Sequence, residues 1–259
     1  MAVSSSPRAS ASNVLSTALF GLLVLGMGYG AYTLALTLRG VPAAAWLRLG
    51  SAGLATLARV IASTVVGTAW ALPAGLAIGL SPRLSRMLQP VVQVVASFPA
   101  PMLFPVVIGV LAAAGVSLGW GSIVLMLLGT QWYILFNVIA GASAIPSDLR
   151  EAARMYRLGA MARFWRLHLP AVFPYLVTGW VTAAGGAWNA SIVSEFVTTK
   201  GTTLTTWGLG AQISEAAAAA DFPRLAASVL AMSLLVVVFN RVVWRPLHHL
   251  AETRFSLSK

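Results

Sequence analysis

The sequence predicts an all-α polytopic membrane protein with six transmembrane helices, and two observations carry that expectation. Hydrophobic residues make up 58% of the 259 and charged residues only 9%, with a mean hydropathy of +0.84; soluble domains are about 45–50% apolar and about 25% charged. The apolar residues also gather into six runs of about 20, each long enough at 1.5 Å per helical residue to cross a hydrocarbon core of roughly 30 Å. The lack of cysteine removes disulfides, thiolate metal sites and thiol nucleophiles together.

In chain order, residues 1–13, "MAVSSSPRASASN", read as a short polar tail. Span one, Val14 to Leu38, is too long for a signal-peptide core and no small-residue cleavage site follows it, so it reads as a retained anchor. The stretch Val41 to Ala58, with Trp46 and Arg48 near its start, reads as an interfacial helix leading into span two, Val60 to Leu80. Span three, Val91 to Leu111, carries Gln93 and Ser97, then Pro99, Pro101 and Pro105. Carbonyls released by those prolines are tolerable only where protein or a cavity satisfies them, which places span three beside a pathway. Span four, Ile123 to Ala142, sets Thr130, Asn137 and Gly141 on one face. Span five, Val172 to Ser191, sets Thr178, Thr182, Gly185 and Asn189 at i, i+4, i+7 and i+11 in a single small and polar stripe. Such residues either line a polar path or let helices approach and hydrogen-bond across their contact. The segment Glu195 to Pro223 is expected to carry a short helix over its alanine run. Span six, Leu225 to Val243, leads into a tail, 244–259. No internal repeat is legible.

Basic residues are enriched in cytoplasmic loops near the spans, which orients the chain. An inside N-terminus places Arg8, Arg83, Arg86, Arg150, Arg154, Arg157, Arg163, Arg166, Arg241, Arg245, Arg254 and Lys259 in the cytoplasm, and leaves Arg39, Arg48, Arg59, Lys200 and Arg224 outside. Both termini are then cytoplasmic, and the net charge of +11 needs an anionic membrane surface, not nucleic acid, to explain it.

The loop between spans four and five, "DLREAARMYRLGAMARFWRLHLP", concentrates five arginines and two acids in a chain that otherwise avoids charge. Asp148 with Glu151 three residues on is spaced to cap a helix, Gly159 suits a left-handed exit, and a second helix is expected from Ala160 to His168, stopped by Pro170. Arg150, Arg154 and Arg157 share one face and Leu149, Ala153 and Tyr156 another. Orientation alone needs a few charges; a capped, two-faced helix pair offers a solid surface to a soluble partner.

"EAA" at Glu151 to Ala153 and "LHLP" at Leu167 to Pro170 resemble the signature loop of permease subunits of bacterial ATP-binding-cassette importers, in which EAA, three residues, Gly and nine residues precede Ile-x-Leu-Pro. Arg157 stands at the Gly position, with Gly159 two residues later. Longer stretches resemble the nitrate, sulfonate, taurine and bicarbonate branch, most of all the second half of its fused, double-length members: "QPVVQVVASFPAPMLFPV", "LGTQWYILFNVIAGASAIPSDLREAA", "PAVFPYLVTG", "GGAWNASIVSEF" and "ADFPRLA" with "FNRVVWRPL". The resemblance implies a type I importer permease fold over residues 14–243, with 147–170 as the coupling loop that docks on a separate ATPase. Glu151, Ala152, Ala153, Leu167, Leu169 and Pro170 would form the docking surface; charge and spacing add Arg150, Arg154, Arg163 and Arg166. The implied partners are ATPase subunits that hydrolyse the ATP, a second permease subunit, identical or homologous, a solute-binding protein and membrane lipid, with a small oxyanion or sulfonate as solute and the inner membrane as location.

The residues themselves exclude a P-loop, since Lys200 and Lys259 follow Thr and Ser instead of Gly. No metalloprotease or serine-hydrolase motif is present; His248 and His249 are adjacent, about 100° apart on a helix, and suit no shared ion. No catalytic residue, metal ligand or cofactor site is therefore expected in this chain, and His168 receives no catalytic role. An ion-gradient-driven secondary transporter is the rival reading, opposed by the lack of acids within the spans. Candidate pathway residues are Gln93, Ser97, Pro99, Asn137, Thr178, Thr182 and Asn189. Arg59 and Glu195 either contact an anion, shape an outer gate or pair as a strut.

Overall fold

A computed structural model describes residues 7–199 and 201–255, with side chains from Leu15 onward. Lys200, Ser256, Lys259 and the side chain of Arg8 lie outside these, as does most of the polar tail. Helix α1, Pro7–Arg39, begins seven residues ahead of Val14. It is exposed along its apolar length and packs within the chain on the helix Phe222–Phe239. Among the described residues five helices are long and apolar enough to cross a membrane, or six where the bent pair Pro82–Ala96 and Ala100–Ala113 is counted as one span.

Helix α2, Ala43–Gly79, is one uninterrupted helix of 37 residues. The expected interfacial helix at Val41 to Ala58 is thus corrected: Leu49, Ala52, Gly53 and Thr56 are buried in the same helix that forms span two. At 1.5 Å per residue it is about 55 Å long and projects well beyond a hydrocarbon core. Span three is broken. Helix α3, Pro82–Ala96, ends at Ser97, and Pro99 holds an extended backbone before a 3₁₀ turn, Ala100–Leu103, and helix α4, Phe104–Ala113. Phe98, directly ahead of a proline, is disfavoured in the helical region, and with Pro99 extended at ψ 107° the two helices stand bent by 75°.

Helix α5, Leu118–Ser143, lies between α2 and α8, Leu169–Ser194, and these three make the centre of the molecule. Glycines permit the approach. A Cβ on Gly75 of α2 would lie 2.6 Å from Cγ1 of Val138, and one on Gly179 of α8 would lie 3.1 Å from Cα of Ile134. One cluster, around Leu76, Ile134, Val138, Val172 and Leu176, fills the end nearest the charged loop. Another, around Val60, Met126, Ala187, Trp188, Leu209 and Ile213, fills the opposite end.

The loop expectations need three corrections. Helix α6, Ser147–Met155, starts after Pro146, and no side chain caps it; Asp148 sits in its first turn, so the Asp148–Glu151 capping arrangement is not formed. The left-handed exit residue is Arg157, φ 51°, not Gly159, which has φ −63° and precedes the short helix α7, Ala160–Arg163. Pro170 does not stop the chain. A π-helical turn, Phe164–His168, lets the N–H of Leu169 donate to the carbonyl of Phe164, five residues back, and helix runs without a break from Ala160 to Ser194. Proline lacks an N–H and crowds the carbonyl four residues earlier; widening the preceding turn relieves both defects. The same device recurs at Asn240–Trp244, ahead of Pro246, and joins α10, Phe222–Phe239, to α11, Arg245–Arg254.

Beyond α8 an antiparallel hairpin, β1, Phe196–Thr199, with β2, Thr202–Thr205, was absent from the sequence expectation. Gly201 takes φ 79° at its turn. Helix α9, Leu209–Ala218, begins seven residues before the alanine run at Ala216 and packs against α8 and α10.

Candidate functional sites: a charged loop, a polar stripe and an ion-pair hub

The charged loop and the hairpin lie at opposite ends of the three central helices. Near the loop, Ser143 at the end of α5 donates to the carbonyl of Gly79 at the end of α2, 3.2 Å. Near the hairpin, Arg59 of α2 donates through Nε to the carbonyl of Gly119 at the start of α5, 3.0 Å.

On the loop, Glu151, Arg154 and Arg166 are exposed, and Arg150, Ala152 and Arg163 are half-buried. Among the described residues no ion pair joins the loop's two acids to its five arginines, and Nε of Arg163 is buried without a hydrogen-bond partner. Ala153 is buried, and Leu167 and Leu169 pack with Phe164 onto the central cluster. Ala153 and the covered parts of Leu167 and Leu169 thus tie the loop to the bundle, while Leu167, Leu169 and Pro170 remain half-buried. Other apolar groups project: Met155 at 83% exposure, Tyr156 at 81%, Met161 and Trp165; of these the sequence pattern pointed to Tyr156, on the face it shares with Leu149 and Ala153. Helical periodicity marks which residues share a face but not which face the bundle takes.

On α8, Thr178, Thr182, Gly185 and Asn189 form an exposed stripe, opposite the buried Ala183, Ala184, Ala187 and Trp188. Their side chains donate back along the helix: Thr178 to Pro174, Thr182 to Thr178 and Asn189 to Gly185. Among the described residues the Thr178 and Thr182 hydroxyl oxygens and the Asn189 amide oxygen accept no hydrogen bond on the open face. Asn137 of α5 lies at the stripe's edge, donating to Tyr133, with its Cβ 3.2 Å from where a Cβ on Gly179 would stand. Thr130 and Gly141 are buried in the contact between α5 and α8, Gly141 against Tyr175. Gln93, Ser97 and Pro99 are exposed on α3 and at its break; no hydrogen bond among the described residues joins them to the α8 stripe.

At the hairpin end, Glu195 is fully buried and Arg59 nearly so, and they pair at 2.8 Å. Arg59 uses four of its five N–H groups within the chain: on Gly119, Glu195, the carbonyl of Trp207 at 2.8 Å and the hydroxyl of Thr206 at 3.1 Å. The Glu195 carboxylate also accepts from Thr56 at 2.9 Å and from the N–H of Gly210 at 2.9 Å. Thr56 in turn accepts from the N–H of Leu209, 2.8 Å. The first amides of α9 are thereby capped by side chains from α2 and from the end of α8, a favourable place for a negative charge. Gly208 and Gly210 have no room for a Cβ, which would collide with the Glu195 carboxylate and with the backbone of Ser191 respectively. A buried carboxylate with this many donors is held by the fold and is not open to a passing solute. Thr56 was missed in the sequence, although it lies three residues before Arg59 on the same face of α2; its partner is 139 residues away.

Residues 67–245 match the family described as the binding-protein-dependent transport system inner membrane component. The chain belongs to this family. Among its relatives are a nitrate import permease protein, NrtB, of Synechocystis sp., 28% identical over 149 residues, 58% of this chain and 53% of the relative, and a bicarbonate transport system permease protein, CmpB, of Synechocystis sp., 27% identical over 144 residues, 56% of this chain and 50% of the relative. The match to this permease thus spans about half the length of these curated relatives. Among solved structures, a chain of the MetNI methionine ABC transporter in inward-facing conformations superposes with a TM-score of 0.64 at 20% identity, over 81% of this chain and 99% of that one. That likeness establishes the type I importer permease fold. The chain is thus a multi-pass member of a family of inner-membrane transport components. Among the described residues no group of three or more His, Asp or Glu side chains is arranged to hold a metal ion.

Proposed function

We propose that this permease forms a solute pathway together with a second permease subunit, and that a separate ATPase drives it through the loop Ser147 to Pro170, with a solute-binding protein delivering a small oxyanion or sulfonate from outside. One observation carries the reading. The second half of the charged loop and the polar stripe are one helix, Ala160 to Ser194, which ends at the Glu195 hub. A push on the loop is therefore delivered along a rigid rod to the face that carries Thr178, Thr182 and Asn189. That face is polar and uncovered within the chain, as expected of a path completed by a second subunit. Asn137 borders it, and the α3 break with Gln93, Ser97 and Pro99 supplies a further polar edge.

The coupling assignment rests on Glu151, Arg150, Arg154, Arg163 and Arg166, which have no ion-pair partner among the described residues, together with Ala152 at the EAA position. Ala153, Leu167, Leu169 and Pro170 act as the loop's anchor. Arg59 and Glu195 act as a strut for the outer gate and not as an anion contact. The nitrate and bicarbonate permeases among the relatives support an oxyanion. ATP is hydrolysed by the partner, and no cofactor is assigned to this chain. The loop face and both termini are cytoplasmic.

The test is uptake into proteoliposomes containing the permease, its ATPase and its binding protein, with nitrate, bicarbonate and an alkylsulfonate offered in turn. Uptake is expected to require ATP inside the ATPase-bearing compartment and to be abolished by Glu151→Lys with insertion intact. Uptake driven by an ion gradient without ATP, or a Glu151→Lys protein that stimulates hydrolysis like the wild type, would overturn the reading.

A further inference from the structure

The turn between α6 and α7 is built against the preference of its central residue. Arg157 sits at φ 51°, and the helix end around it is closed by backbone alone: the N–H of Arg157 donates to Arg154 at 2.9 Å and that of Leu158 to Ala153 at 3.1 Å. This is the Schellman arrangement, whose left-handed position glycine takes at no steric cost. Nothing in the turn uses the arginine side chain. The guanidinium is exposed and has neither a hydrogen bond nor an ion pair among the described residues. It lies directly after the projecting Met155 and Tyr156, the most exposed apolar groups of the loop.

A charge needed only for orientation has no reason to sit here. Arg150, Arg154, Arg163 and Arg166 supply that at helical positions, without a left-handed backbone. A side chain retained at a sparsely populated backbone conformation points to a function carried by the side chain. The loop's five arginines exceed its two acids, and among the described residues none of these charges is ion-paired, so an acidic surface is the complement to this loop.

We infer that Arg157 is the residue by which this permease selects its own ATPase: its guanidinium meets a carboxylate on the ATPase surface beside the pocket that takes Met155 and Tyr156. The inference rests on the coupling reading above and deepens it. The arginine acts as a specificity-determining contact, and the left-handed backbone aims it outward from the tip of the loop.

The experiment uses the full chain in lipid nanodiscs with the purified ATPase, comparing Arg157→Gly, Arg157→Ala and Arg157→Lys. A control, Ala220→Gly, relieves the other left-handed non-glycine residue, φ 52°, at the far end of α9. Arg157→Gly is expected to melt at or above the wild-type temperature yet bind the ATPase about tenfold more weakly at low salt and show a smaller salt dependence of binding. Arg157→Ala is expected to lose affinity as much while keeping the unfavourable turn, and Arg157→Lys to recover most of it. Ala220→Gly is expected to match the wild type in ATPase affinity. Wild-type affinity and salt dependence in Arg157→Gly would overturn the inference, as would a defect limited to binding of anionic-lipid vesicles, which would make Arg157 a headgroup contact. If Glu151→Lys is also without effect, the coupling reading fails with it; if Glu151→Lys uncouples and Arg157→Gly does not, only the inference about Arg157 falls.

Discussion

Glu195 shows at the scale of one residue how a membrane protein keeps a charge in its interior. The carboxylate is removed from water but receives donors from α2, from α9 and from Arg59, so its desolvation is offset by charge-assisted hydrogen bonds in a weakly screening environment. Removing one partner leaves the other buried and unpaired. Arg59→Gln and Glu195→Gln are each expected to destabilise the protein by about 3–5 kcal/mol. The double change should cost less than their sum, with a coupling of about 1–3 kcal/mol. Thermal unfolding in detergent and transport across the four proteins measure this; strictly additive losses would show that the pair does not act as a unit. The chemical type of the pair was readable beforehand, as one base and one acid near the ends of two spans. Thr56 and the amides of Leu209 and Gly210 were not, because neither spacing nor polarity signals a contact made by folding distant segments together.

At the scale of elements, the helix from Ala160 to Ser194 departs most from expectation. Pro170 was read as a stop, which is what proline does to a regular helix; a π turn just before it lets the helix continue. Phe164, Leu167 and Leu169, in and just after that turn, pack onto the cluster that α2 and α5 share with α8, contacts that spacing along the chain does not reveal. The glycines on this helix were legible as small residues, though not as to which neighbour each admits. Gly179 faces Ile134 and Tyr133 of α5. Gly179→Leu is expected to force α5 and α8 apart and to destabilise by about 1–3 kcal/mol, read as a lower melting temperature and reduced abundance in the membrane. Gly185, on the exposed stripe with open space around it, should accept alanine with no loss of stability. Equal damage at the two positions would contradict the placement of the stripe on the uncovered face.

For the whole molecule, the arrangement of a charged loop at one end and a hairpin at the other predicts the outcome of labelling. The cysteine-free chain permits single cysteines at Ser147 and Thr203. A membrane-impermeant thiol reagent should reach the first only from the cytoplasmic side and the second only from outside; labelling of both from one side would refute the span count. The lengths of the apolar runs were enough to determine an all-helical membrane protein, because in hydrocarbon each backbone polar group must be satisfied within its own segment and helix is the local solution. The charged loop was equally legible, since charge is rare in this chain and stands out wherever it occurs. Tertiary structure alone decided that span three is bent and that α2 runs unbroken from Ala43 to Gly79. It also decided that a hairpin and α9 close the hairpin end over Glu195, and that Met155 and Tyr156 project while Leu167 and Leu169 turn inward. Each of these depends on which face of a helix meets which neighbour. Lipid is as apolar as the protein core, so hydrophobicity cannot say which side of a span faces inward; close packing and hydrogen bonds between distant residues make that choice.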